Sequence, residues 1–386
     1  MKELENSNHI VQIGTNIVRS KLDSSLKDKG VIISSLNDVM STKSNLLQTI
    51  LNSENSSEDK FTALNNAAFN TGIFIHIPKN VQIDESIFIL SCMSSDELSS
   101  ISKNVINVDN SSSARVVQEL YSPTNTAQQS YLEMLHVNVG AAAKLDSTTL
   151  QMMDKSSVNF STRHTRIHQD GLVNWYLGLF GSILSRYRTN YHLIEPGANA
   201  NDSEVVFGDG KQCFDMQTVM NHSSPHTDGK VIEKSILRNK SRSLFKGMIR
   251  INENATKSNS YLSGRSILLD SEAKSDSIPG LEILTNDVKA THAASVAQID
   301  EEQIFYLATR CLDKATAEKT IVEGFLEPLS RKMSYQVRAW IAYLIDSKWE
   351  GKELLINDDK ELRKFIEIEE TRYDEDTEID QHYKYR

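Results

Sequence analysis

The sequence predicts a mainly β protein: a right-handed parallel β-helix flanked by N- and C-terminal helical segments. Three observations carry that expectation. From Thr71 onward, short strand-like runs follow one another for more than 200 residues with almost no helical periodicity. Polar connections recur irregularly, and Thr, Ser, Val and Asn are frequent within the runs, which suits stacked coils whose inward side chains form rows. Only 16 glycines and 6 prolines are present, fewer than the tight hairpins of a sandwich this long would want. No exact repeat period is detectable, which disfavours a hexapeptide-type left-handed helix. A large β-sandwich stays open as the alternative.

The elements divide the chain into four segments. Residues 1–70 read as an N-terminal helical arm, with Val11, Ile13, Ile17, Val18 and Leu22 at roughly helical spacing. Leu36, Val39 and Met40, then Leu46, Leu47, Ile50 and Leu51, continue it. Residues 71–298 are the β-helix core. Its first stretch alternates strictly, with Ile73, Ile75 and Ile77 before a Pro78-Lys79-Asn80 turn and Val81, Ile83, Ile87 and Ile89 after it. Residues 157–167, 213–222 and 243–251 are further clear strands, and 172–194 holds more than one. Residues 299–349 form a C-terminal helical domain. Asp300 with Gln303 makes a capping box, Asp313 can cap a second helix, and a third begins near Ser334. Residues 350–386 are an acidic tail with a short helix expected around Lys360–Ile368.

Composition narrows the function classes. The 386 residues are 39% hydrophobic and carry no apolar run long enough for a membrane helix. The N-terminus lacks the apolar core of a signal peptide, and because the cysteines form no disulfide framework a cytoplasmic protein is expected. The net charge of −10 disfavours a nucleic-acid partner. From Asp346 to Arg386, 14 acidic residues face 8 basic ones, a net of −6. The three cysteines, Cys92, Cys213 and Cys311, lie too far apart to form a CxxC pair or a local cluster site.

Most candidate motifs have an ordinary reading. Gly208-Asp209-Gly210-Lys211 lacks the spacing of a phosphate loop and reads as a turn. His164 and His168 share a strand face but sit roughly 13 Å apart. His222 and His226 span a turn, where a hydrogen bond is the simpler role. Asp209, Asp215, Asp270 and Glu272 are scattered, which argues against a glycan-cleaving β-helix enzyme. The stretch Ser277–Ser295 reads as two short strands, with turns at Pro279-Gly280 and Asn286-Asp287, ending near His292 among small residues.

Two long runs resemble the SufB/SufD family of iron–sulfur cluster assembly proteins. They contain His222–Pro225, Phe245–Ile249, Pro279–Ile283, Asp287–Lys289, His292 and Phe305–Arg310. The resemblance covers roughly residues 70 to 335 and implies the same β-helix between helical segments. It implies a complex in which the protein pairs with a SufB-like subunit and docks a SufC-like ABC ATPase through its C-terminal helices. ATP hydrolysis would belong to that ATPase, and this chain would not be an enzyme. SufB-like members carry a cysteine where this chain has Gly264, and Glu-His-Glu where it has Thr291-His292-Ala293. SufD-like members often read Lys-Cys-Ser-His-Gly, matched here by Lys289-Ala290-Thr291-His292-Ala293 only at the lysine and the histidine. The chain is therefore most like SufD: a scaffold with no stably bound cofactor of its own. His292 is then the candidate ligand for iron or a transient Fe–S cluster at the subunit interface. A SufB-like homodimeric scaffold is the alternative. The glycine that usually follows the family arginine is Cys311 here, expected as a buried thiol between helices.

Overall fold

The computed structural model describes residues 7–43, 47, 59–96, 98–124, 127–330, 333, 335–352, 354 and 362–372. Parallel strands stack into two facing sheets of a β-helix. Sheet A stacks β5 (Gln82–Cys92), β7 (Ser113–Tyr121), β9 (Lys144–Gln151), β11 (Leu172–Leu179), β13 (Asn199–Gly208), β15 (Asp228–Leu237), β17 (Ser258–Leu268) and β19 (Val288–Gln298). Sheet B stacks β4 (Ile73–Ile77), β6 (Ser99–Val108), β8 (Gln129–Val139), β10 (Ser157–Ile167), β12 (Leu184–Leu193), β14 (Cys213–His222), β16 (Arg242–Ile251) and β18 (Lys274–Ile283). Consecutive strands alternate between the sheets, so each coil takes one strand from each. The corner from sheet B to sheet A is marked by left-handed backbone at Asn80, Ser111, Ala142, Asp170, Gly197, His226 and Lys257, 27 to 31 residues apart.

The core is the lumen between the sheets. Alternation sends every second side chain inward, and register stacks these into rows. Ile10, Ile87, Val116, Trp175, Leu262, Phe214, Phe245, Ile249 and Ile251 are all within 1% of full burial. Each buried side chain of this size contributes roughly 1.5–3 kcal/mol.

The N-terminal segment departs from the sequence expectation. Residues 8–21 are a hairpin, β1 (Asn8–Ile13) and β2 (Asn16–Lys21), and β3 (Ile32–Ser35) is a further strand. Val11, Ile13, Ile17 and Val18 mimic helical spacing because Gly14, at φ 57°, reverses the chain between two strands. β1 pairs in parallel with β5, and β2 and β3 run antiparallel to their neighbours, so this end of the solenoid is closed. The helices here are short: α1 (Ser24–Asp28), α2 (Leu36–Thr42) and α3 (Lys60–Ala68), capped by Asp23, Ser35 and Asp59. Of Leu46, Leu47, Ile50 and Leu51, only Leu47 lies within the described residues. Leu36 and Val39 of α2 pack on Phe74 and Val105, and Phe61 of α3 stacks on Phe160, 4.4 Å between ring centroids.

The C-terminal helices follow the sequence signals. Asp300 accepts a hydrogen bond from Glu302 N and starts α4 (Glu301–Ala308). Asp313 accepts from Thr316 N at 2.8 Å and starts α5 (Lys314–Ser330). α6 (Tyr335–Trp349) follows, and residues 362–372 form a last helix. Val322, Leu326 and Leu344 join Val205, Phe207 and Ile236 in one buried cluster on the outer face of sheet A. Of the acidic tail, Glu350 to Lys352, Leu354 and this last helix lie within the described residues.

Candidate site at the open end of the solenoid

The stretch around His292 forms the last coil. β18 and β19 are the terminal strands of their sheets, at the end opposite the N-terminal hairpin. They do not form a hairpin with each other. β18 pairs with β16, β19 pairs with β17, and the chain turns the corner between the two sheets after Ile283. Pro279 and Gly280 lie inside β18 rather than in a turn, where an edge strand tolerates the missing N–H. His292 is the fifth residue of β19, not at its end.

Register gives this coil its character. Leu281 stacks on Ile249, Ile283 on Ile251 and His292 on Leu262. The lower residues are fully buried, yet Leu281 and Ile283 are 37% and 39% exposed because no described residue covers them. Val288 and Ala290 pack against the inner core, so His292, two positions on, belongs to the same lumen-facing row. Ile278, Leu284 and Val296 add exposed apolar surface. Among the described residues no strand lies beyond either edge strand, so both present backbone N–H and C=O groups.

Beneath this open end the lumen is unusually polar. One row runs Trp175, Asp202, Val231, Leu262, His292, and the next runs Glu204, Glu233, Gly264, Ala294. Burial pushes the Glu233 carboxyl up to about 8, and burial together with the Glu204 charge pushes Asp202 up. Glu204 is raised by burial although the Thr218 hydroxyl donates to it at 2.6 Å. Deeper still, Arg163 pairs with Glu133 at 3.3 Å, both side chains within 1% of full burial. The Trp175 and Tyr187 rings lie 5.2 and 5.0 Å from its guanidinium. At Gly264, where the resemblance puts a cysteine in SufB-like chains, a Cβ would come 2.6 Å from Ser277 Oγ and 2.8 Å from the Phe245 ring. The lumen is filled at that point.

The other sequence candidates resolve into structural roles. His164 is stacked between His136 and His192, with centroids 6.0 and 6.4 Å away. His168 sits past the strand end, 3.2 Å from both Glu195 and Asn138. His222 is buried between Thr227 and Ser260, at 2.8 and 3.1 Å, and burial lowers it to about 4. His226 occupies the corner itself, at φ 58°. Asp209 pairs with Arg238, Asp215 with Arg188 and Glu272 with Lys240, while Asp270 accepts from Asn239 N. Cys311 is exposed rather than buried, and its φ of 64° explains why glycine suits that position.

Sequence reading missed the lumenal carboxyls and Lys348. The carboxyls carried a signal: Asp202 and Glu204 hold alternate, inward positions in a strand whose neighbours are apolar. Lys348, in an ordinary amphipathic helix, carried none. Among the described residues no group of three or more His, Cys, Asp or Glu is arranged to hold a metal ion. Among them, too, no helix is long and apolar enough to cross a membrane.

Comparison with known proteins agrees with the geometry. Residues 91–325 match the family model described as the SUF system FeS cluster assembly SufBD core domain, and residues 2–89 match the SufBD protein N-terminal region. An iron–sulfur cluster assembly SufBD family protein of Staphylococcus haemolyticus is 27% identical over 341 residues, 88% of this chain and 73% of that protein. Proteins of the same description in Staphylococcus epidermidis and Staphylococcus aureus are 26% identical over the same shares.

Proposed function

Because this chain belongs to the SufBD family of iron–sulfur cluster assembly proteins, we propose that it is a non-catalytic scaffold subunit of the SufD type, working in the cytoplasm. It pairs with a SufB-like subunit and helps nascent clusters form or acquire iron at their shared interface. The observation that carries this reading is the uncapped last coil. Core rows continue into solvent at Leu281 and Ile283, beside His292 and two sheet edges that no other described strand pairs. A second β-helix subunit would cover the apolar row and satisfy the edges.

His292 would then supply one imidazole, a competent ligand for ferrous iron, in the covered interface. Its strand neighbours Thr291 and Ala293 add no strong ligand, and the Gly264 position has no room for a thiolate without rearrangement. Further ligands come from the partner, so iron or a cluster is cargo of the complex and not a resident cofactor of this chain. Docking of a SufC-like ATPase is assigned to α4, where Phe305 and Tyr306 are 71% and 57% exposed. Arg310 lies over the Tyr306 ring at 3.7 Å.

Co-expression with SufB-like and SufC-like subunits tests this. The wild-type chain should co-purify in a three-component complex, and His292→Ala should assemble normally but lower iron content and cluster yield. Unchanged iron and cluster yield would remove the ligand role. Stable cluster absorbance after anaerobic reconstitution of the isolated chain would favour a SufB-like homodimer instead.

A further inference from the structure

Far from the open end, a cavity of about 570 Å³ lies between the β-helix and the end of α6. Its walls come from the sheet A to sheet B corners of four consecutive coils: Ser122 and Thr124, Met152 to Lys155, Phe180 to Ile183, and Asp209 to Gln212. Lys348, Gly351, Lys352 and Leu354 close the remaining side. Ile183 and Leu354 give it a part-exposed apolar floor, with Met153 and Phe180 buried behind it, and the volume is that of a small-molecule site.

The charge lining it is one-sided. Four lysines, Lys155, Lys211, Lys348 and Lys352, face two acids. Both acids are already engaged. Asp209 accepts from Arg238, Asn239 and Gly210 N at 2.6 to 2.8 Å. Asp154 accepts from Ser156 N and Oγ at 2.9 and 2.6 Å and from Thr124 at 3.2 Å. Lys352 pairs with Glu350 at 2.7 Å. Lys348 is 7% exposed, burial lowers it to about 7, and it already donates to the Phe180 carbonyl and to Gln212 Oε1, so it belongs to the wall of the recess. Lys155 and Lys211 are exposed and have no acidic partner among the described residues. They rise from corners two coils apart, about 10 Å at the backbone, a gap that two lysine side chains can close around one phosphate. In a chain of net charge −10, this is a local cationic recess over an apolar floor.

We infer that this recess binds a phosphate ester of mononucleotide size, its phosphate held by Lys155 and Lys211 and its ring or apolar body laid on Ile183 and Leu354. Neither half of such a ligand satisfies the site alone, because the lysines need charge and the floor needs apolar area.

Isothermal titration of the full chain with adenosine 5′-monophosphate, adenosine and inorganic phosphate separates these contributions. The monophosphate should bind at least about tenfold more tightly than either fragment. Lys155→Gln and Lys211→Gln should each weaken it by about tenfold, the scale of one charge-assisted contact. Ile183→Asp, which puts an anion on the floor, should abolish binding. All three sites are at least partly exposed, so an unchanged melting temperature should accompany the loss. The assignment is overturned if the monophosphate gives no binding at millimolar concentration, binds no better than adenosine, or binds the variants as well as the wild type.

Discussion

Arg163 shows what the lumen demands of a single residue. Its guanidinium is out of water, between two aromatic rings, and Glu133 is its only carboxylate within salt-bridge distance among the described residues. Glu133 also accepts from Asn104, Gln118 and Ser161. Removing one member strands the other charge in a low-dielectric interior, which typically costs 3–5 kcal/mol, whereas apolar replacement of both can be nearly neutral. Glu133→Gln should therefore lower the unfolding free energy by roughly 3–5 kcal/mol in a urea titration. Glu133→Leu combined with Arg163→Met should recover much of that loss. None of this was visible in the sequence, because Glu133 and Arg163 lie 30 residues apart and only the coil register makes them neighbours. His292 was visible, through its motif. Its position over Leu262 in a lumen-facing row was not, since the turn after Ile283 reads equally well as a hairpin.

At the scale of elements, legibility followed local chemistry. The C-terminal helices announced themselves through Asp300 and Asp313, whose side chains cap the first turns. The coil repeat did not. Its marker corner is Asn, Ser, Ala, Asp, Gly, His and Lys in successive coils, held in the left-handed region by the stacked neighbours rather than by a fixed residue type. The seam between sheet A and the helices makes a prediction at the same scale. Burial raises Glu119 of β7 from 4.5 to about 7 despite its hydrogen bond from Tyr121 at 2.8 Å. Burial also lowers Lys348 from 10.5 to about 7. A raised carboxyl stabilises the fold below its unfolded value, and that contribution is lost as pH rises toward 7. A lowered lysine acts in the opposite sense: stability rises with pH between about 7 and 10.5. Glu119→Gln should flatten the fall in melting temperature between pH 4.5 and 7, a differential on the order of 3 kcal/mol. Lys348→Met should flatten the rise above pH 7. Melting curves across pH 4 to 10 read both, and an unaltered slope in either variant would count against that seam residue.

For the whole molecule, the two ends of the solenoid are treated differently, and that asymmetry determines where a partner can add. At one end the hairpin β1–β2 and the antiparallel strand β3 stop the ladder. At the other, the same stacking rule that built every earlier coil is left incomplete, with Leu281 and Ile283 half-exposed above the fully buried Ile249 and Ile251. Open edges of this kind are normally blunted or covered, because they template the addition of further strands. Identical chemistry at adjacent levels should therefore have opposite consequences. Ile251→Glu places an unpaired charge in the closed lumen and should prevent folding or cost several kcal/mol. Ile283→Glu, one coil further on, should leave the melting temperature of the isolated chain nearly unchanged while abolishing co-purification with a SufB-like partner. Sedimentation velocity on the variant mixed with that partner distinguishes the cases. If Ile283→Glu pairs normally, the uncapped coil is not the interface. If it melts as early as Ile251→Glu, the last coil is closed in solution by this chain itself.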